Sequence, residues 1–191
     1  METFRLFRLI ALGALGLGAG LLLSRPFVVQ DPSGPGQLDN PAAHAREPIR
    51  LIAANDRVTV ADFGFKDEQG KTHRLSELVG QRPILIHFWA TWCVPCLPEL
   101  PELDGVAARD GQRLTLLPLS LDRDALTVAR TFLDGKHLAA LAVFAPETDA
   151  PLPQALPTSI LVDKSGKVAW TTAGAHPWGG ADLDAALKAL D

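Results

Sequence analysis

An apolar run, Ile84 to Trp89, leads into Trp92-Cys93-Val94-Pro95-Cys96, and a helix-compatible run from Pro95 to Arg109 leads out. This order places a cysteine at the joint between a buried strand and the first turn of a helix. The free N–H groups and the dipole at a helix start favour a thiolate over a thiol. A second cysteine three residues on lies one turn away, on the same face, within reach of the first sulfur. Such a dithiol can open a partner's disulfide and then close its own.

Cys93 and Cys96 are the only two cysteines in 191 residues. Two other readings of the pair stand beside the redox one. Half a zinc site needs further nitrogen or sulfur ligands at suitable spacing, and His44, His73, His87, His137 and His176 form no close pair. A purely structural disulfide at this spacing closes a small loop and constrains the unfolded chain little. The net charge of −4 comes without a basic stripe, so nucleic acid is not an expected partner.

Met1 to Arg8 carries Arg5 and Arg8, and Leu9 to Leu23 then runs without a charge, rich in Leu, Ala and Gly. Residues 1–24 read as an export signal or signal anchor with its N-terminus in the cytoplasm. The run is short for a full span, and no small-x-small site follows promptly, so both the cleaved and the uncleaved form stay open. No Cys lies near it to carry a lipid. Residues 25–50 hold five prolines, Pro26, Pro32, Pro35, Pro41 and Pro48, and few apolar residues, as a semi-extended tether would.

Residues 51–191 are long enough for one domain with a normal core. Val58 to Phe65 alternates at Val58, Val60 and Phe63 and reads as a half-buried strand, with a turn at Asp67 to Gly70. Ser76 is placed to cap a short helical turn. Pro83 to Trp89 has the near-continuous apolarity of a strand covered on both faces. His87 interrupts it, as a hydrogen-bonded core histidine or as a proton relay to the second thiol. Pro95 suits a first turn, whereas Pro101 is expected to kink the following helix. Leu114 to Leu121 reads as a strand, Ala125 to Leu133 as a helix, and Leu141 to Phe144 as a short strand. Ser159 to Val162 and Val168 to Thr172 flank a Gly turn, and Ala181 to Leu190 is a final amphipathic helix.

Phe88-Trp89-Ala90-Thr91-Trp92-Cys93-Val94-Pro95-Cys96, with Glu99 and Pro101 after it, resembles the active-site segment of TlpA-type membrane-anchored thiol–disulfide oxidoreductases. These belong to the thioredoxin-like superfamily and are related to the cytochrome c maturation reductases. The resemblance covers roughly residues 51–191. It implies an α/β thioredoxin-like fold, a central mixed sheet flanked by helices on both faces, with a helix–strand insertion over Ala125 to Phe144. It implies Cys93 as nucleophile and Cys96 as resolving thiol, with no cofactor or metal. Glu99 reads either as an ordinary early-helix acid or as the family's active-site acid, and its register with the motif favours the second. Trp92, Pro95, Leu156 and Pro157 would shape the substrate surface, with Pro157 cis opposite the thiols. The implied clients are protein disulfides of apocytochrome c or copper-site proteins at the periplasmic face of the inner membrane. The implied electron donor is a membrane protein of DsbD or CcdA type.

Two residues depart from the family pattern: His87 stands where Asp or Asn is usual, and Leu97 where Lys or Arg is usual. Rival functions within the same fold are a DsbA-like oxidant and a thiol peroxidase. The peroxidase's Thr-x-x-Cys spacing is absent, since Thr91 is two residues before Cys93. A Cu(I) carrier using the dithiolate is a rival of a different class.

Overall fold

A computed structural model describes residues 48–191. The Leu9 to Leu23 run and nearly all of the proline-rich tether lie outside the described residues, and among those described no helix is long and apolar enough to cross a membrane.

The centre is a four-stranded sheet in the order β4-β3-β6-β7. It comprises β3 (Ile84–Trp89), β4 (Thr115–Ser120), β6 (Thr158–Val162) and β7 (Val168–Ala173). β3 and β4 run parallel, with Ile84 opposite Thr115 and Trp89 opposite Ser120. β3 is antiparallel to β6, and β6 to β7. The mixed central sheet is therefore as expected. Every residue of β3 is buried, which accounts for its near-continuous apolarity, with His87 the one polar member.

The pleat divides β3 between two cores. Leu85 and Trp89 face a cluster that includes buried residues of all three α-helices, α1 (Glu99–Asp110), α2 (Ala125–Gly135) and α3 (Ala181–Leu190). Ile84, Ile86 and Phe88 face a second cluster with Phe63, Phe65 and Leu75. The expected helical layer on this second face is replaced by a small sheet, in the order β2-β1-β5, and a 3-10 turn at Leu75–Glu77. The small sheet comprises β1 (Gly64–Lys66), β2 (Thr72–Arg74) and β5 (Ala145–Pro146).

Three local expectations shift. The strand anticipated over Val58 to Phe65 is confined to β1. Val58 is 66% exposed, and its carbonyl accepts from Val168 N–H at the far end of the β6–β7 hairpin. Ser76 does not cap the turn at Leu75–Glu77; its backbone N–H donates to Asp62. The strand anticipated over Leu141 to Phe144 begins at its last residue: Phe144 bridges Leu119 in parallel, and Ala145 and Pro146 then pair with β1.

The β1–β2 turn is as anticipated. Asp67 N–H donates to the Lys71 carbonyl, and Gly70 supplies a φ of 75°, which favours a residue without Cβ.

Candidate active site

The thiol pair sits where β3 ends. Cys93 and Cys96 are joined by a disulfide, with Cα atoms 5.3 Å apart. Cys93 immediately precedes a 3-10 turn, Val94–Cys96, and α1 starts only at Glu99. The prolines explain the gap. Pro98 and Pro101 have no N–H to give to the carbonyls of Val94 and Leu97, so the α-helical ladder cannot close across Leu97–Pro98. The expected kink at Pro101 is therefore an interruption one turn earlier, and Pro101 lies in the first turn of α1, where a missing donor costs nothing. The thiols thus flank a short 3-10 turn, Cys93 just before it and Cys96 as its last residue, rather than the start of a long helix. A helix dipole's influence fades within a turn, and α1 begins six residues beyond Cys93.

Exposure differs sharply along the motif. Cys93 is 4% exposed and Cys96 fully buried, while the adjacent Trp92 is 66% exposed. Trp92, Cys93, Val94, Pro95 and Leu156 line one side-to-side apolar groove of about 500 Å³. The Leu156–Pro157 bond is cis, and Pro157 is buried, with its carbonyl accepting from Gly174 N–H. Tertiary structure therefore brings Trp92, Cys93, Pro95 and Leu156 to one concave surface, while Pro157, expected there too, is buried and is not among the residues that line it.

The loop before Trp92 is tied down by a residue that sequence reasoning missed. Thr91 donates to Asp122 through its backbone N–H, at 3.0 Å, and through Oγ1, at 2.7 Å. Ser120 Oγ donates to the same carboxylate at 2.8 Å. The Thr91 hydroxyl is thus committed to Asp122. An Asp just past a strand end carries no pattern of its own, so nothing in the sequence marked it.

Glu99, the candidate proton acceptor, is 3% exposed. Its Oε1 accepts from the His176 backbone N–H at 2.9 Å and from Trp178 Nε1–H at 2.8 Å. Its Oε2 is buried without a hydrogen-bond partner. Burial raises its pKa to about 7 against the opposing effect of those two donors, and the neighbouring Glu102 adds to the rise. Glu102 in turn accepts the backbone N–H of Trp178 and of Gly179. His176 and Trp178 were not anticipated as site residues. The available signal was a buried-type aromatic, Trp178, inside a segment otherwise read as loop, Gly174 to Gly180.

His87 is fully buried, with Nδ1 2.9 Å from Ser159 Oγ and Nε2 unpartnered. Burial pushes its pKa down to about 3, so it is neutral at physiological pH. That matches a hydrogen-bonded core histidine. Among the described residues, no group of three or more His, Cys, Asp and Glu is arranged to hold a metal ion.

The comparisons agree with this geometry. Over 86 residues the chain is 33% identical to the Thioredoxin-like protein slr1139 of Synechocystis, covering 44% of this chain and 69% of that protein. It is 44% identical over 48 residues to the Thioredoxin of Mycolicibacterium smegmatis, covering 25% of this chain and 43% of that relative, so it spans less than half of that relative's length. Among solved structures, the pneumococcal exposed lipoprotein thioredoxin Etrx1 of Streptococcus pneumoniae superimposes with a TM-score of 0.57 at 27% identity, covering 68% of this chain and 100% of that one. The AhpC/TSA family profile matches residues 57–171, more than half of the chain, and this protein belongs to that family, with a thioredoxin-like fold.

Proposed function

We propose that this protein is a thiol–disulfide oxidoreductase that reduces protein disulfides outside the cytoplasm. The observation that carries the reading is a joined Cys93–Cys96 pair whose first member edges an apolar groove while the second is fully buried. In support, one similar solved structure, 27% identical, is named a putative thiol:disulfide interchange protein DsbE, and Etrx1 is by its name an exposed lipoprotein thioredoxin.

In the reduced form the Cys93 thiolate attacks one sulfur of the client disulfide. The client S–S bond breaks, its other sulfur leaves as a thiolate, and a mixed disulfide remains on Cys93. Cys96 then loses its proton and attacks Cys93 Sγ. The mixed disulfide breaks, the second client sulfur leaves with the electron pair, and Cys93–Cys96 closes. Glu99, one turn beyond Cys96 and poised near neutrality, is the acceptor of the Cys96 proton. A donor dithiol of the DsbD or CcdA type returns two electrons. The TlpA-like motif favours apocytochrome c or copper-site proteins as clients, and Arg5 and Arg8 ahead of Leu9 to Leu23 favour an inner-membrane anchor facing the periplasm. The commitment of Thr91 to Asp122 favours disulfide exchange over peroxide reduction.

The deciding experiment is trapping with Cys96→Ser in cells. A client protein should accumulate in a mixed disulfide with Cys93, naming the substrate. The purified pair should show a potential near thioredoxin's, about −270 mV. A value near that of DsbA, about −120 mV, would reverse the direction to oxidation. Failure to trap any protein would remove the protein-disulfide reading.

A further inference from the structure

The thiol chemistry described above uses Cys93, Cys96 and Glu99 but leaves unassigned the buried indole that donates to Glu99, Trp178. Trp178 is fully buried in the cluster that also contains both cysteines. Its indole packs edge-on against Trp170, His176 and His87, with ring centroids 6.0, 4.7 and 6.4 Å away. These contacts leave the indole little freedom to turn, and its one donor is spent on Glu99 Oε1. The loop carrying it is fastened to α1 a second time by Glu102, which accepts the backbone N–H of Trp178 and Gly179.

The two oxygens of Glu99 are consequently unequal. Oε1 already receives two N–H donors, so a proton there would face them in conflict. Oε2 is buried and receives none. We propose, building on the oxidoreductase reading, that Trp178 is a positioning residue for proton transfer: with the His176 N–H it holds Glu99 Oε1, so that the proton leaving Cys96 is taken up on Oε2. In that step the Cys96 S–H bond breaks and an Oε2–H bond forms. The Cys96 thiolate attacks Cys93 Sγ, and the departing client thiolate or solvent recovers the proton from Oε2.

Other titratable groups face the same carboxyl. Glu102 lies on its own helix and opposes its ionisation. His176 and its neighbour Asp182, whose Oδ2 is 3.3 Å from His176 Nε2, lie across the loop and α3. His87 approaches from β3 through Trp178 and is neutral. The two thiols complete the set. A Trp178 donor stabilises the carboxylate against all but the thiols' demand, so its removal raises the pH at which Glu99 becomes a base.

The test is Trp178→Phe in the full chain, read by stopped-flow reduction of a protein disulfide with attack and release resolved. The pH midpoint of the release step should move up by about one unit, a tenfold change in acidity for one lost hydrogen bond to a charged group. The attack by Cys93 should keep its rate. In a Glu99→Gln background the same substitution should move nothing. Replacing Trp178 with 3-benzothienylalanine, which removes only the N–H donor, should reproduce the shift and covers the case in which Phe disturbs folding. A wild-type midpoint in either variant, or a shift that persists with Glu99→Gln, overturns the proposal. A carbon-13 titration of the Glu99 carboxyl keeps this result separate from the functional reading. Should the protein reduce no disulfide, an upward-shifted carboxyl in these variants still supports the hold on Oε1, and an unmoved one overturns it.

Discussion

Glu99 and His87 are buried on the same side of the central sheet, and burial works on them in opposite directions. Glu99 rises from 4.5 to about 7, so between those values the folded chain binds a proton that the unfolded chain has lost. Its contribution to stability therefore falls as pH rises through that window. His87 drops from 6.5 to about 3, so between those values the unfolded chain binds the extra proton. Its contribution falls as pH drops through its own window. Between about 4.5 and 6.5 the two slopes cancel, each at most about 1.4 kcal/mol per pH unit. Denaturant unfolding of the oxidised protein should therefore give a flat stability profile there. Glu99→Gln should unmask a profile that rises with pH, and His87→Asn one that falls, with a total Glu99 effect on the order of 3 kcal/mol. Parallel profiles in all three proteins would show that neither group is held in its shifted state.

At the scale of elements, the segment joining α2 to β5 is held by charged side chains rather than by a sheet ladder. Asp104 of α1 accepts the backbone N–H groups of Ala140 and Leu141, at 2.8 and 2.9 Å. Glu68 accepts that of Val143 at 2.8 Å. Arg130 of α2 donates to the carbonyls of Leu141 and Leu138. Leu138, Leu141 and Val143 can then be buried without orphaning their backbone. This is why the apolar run at Leu141 does not form the strand its composition suggests: its backbone partners lie on two helices and a turn. Asp104→Ala should cost about 1–3 kcal/mol in urea unfolding, from donors left without an acceptor. Asp104→Asn, which keeps Oδ1, should cost less than half as much. Equal losses in the two variants would assign the effect to charge rather than to the backbone contacts.

At the scale of the whole molecule, the described chain enters and reacts at opposite ends of the central sheet. Ile52 N–H donates to the Ala169 carbonyl and Thr59 bridges Lys167, both beside the turn of the β6–β7 hairpin. Phe88 and Thr158, next to the thiols and to cis Pro157, pair at the other end. A domain tethered through its N-terminal side would present its thiols away from the attachment point. The basic flank at Arg5 and Arg8 predicts export of this domain. A reporter active only outside the cytoplasm, fused after Asp191, should be active, whereas activity of a cytoplasmic reporter at the same junction would reverse the topology.

The order of buried strand, CxxC and helix was legible in the residues because it is local: an apolar run broken only by His87 and two cysteines three residues apart need no distant partner to be read. The β6–β7 hairpin and the last helix followed from period and Gly placement for the same reason, whereas the mixed sheet was expected only from the family resemblance. Which face each helix covers was not legible, because an amphipathic pattern states that a helix has an inner side but not what it packs against. The interruption before α1 needed the hydrogen-bond ladder, since three prolines at equal spacing do not say which turn yields. Asp122, His176 and Trp178 became site residues only through contacts that span 31, 77 and 79 positions of sequence. The environment of Glu99 likewise depends on distant contacts: burial raises its pKa, two donors from the 176–178 loop oppose that rise, and one oxygen is left unpartnered.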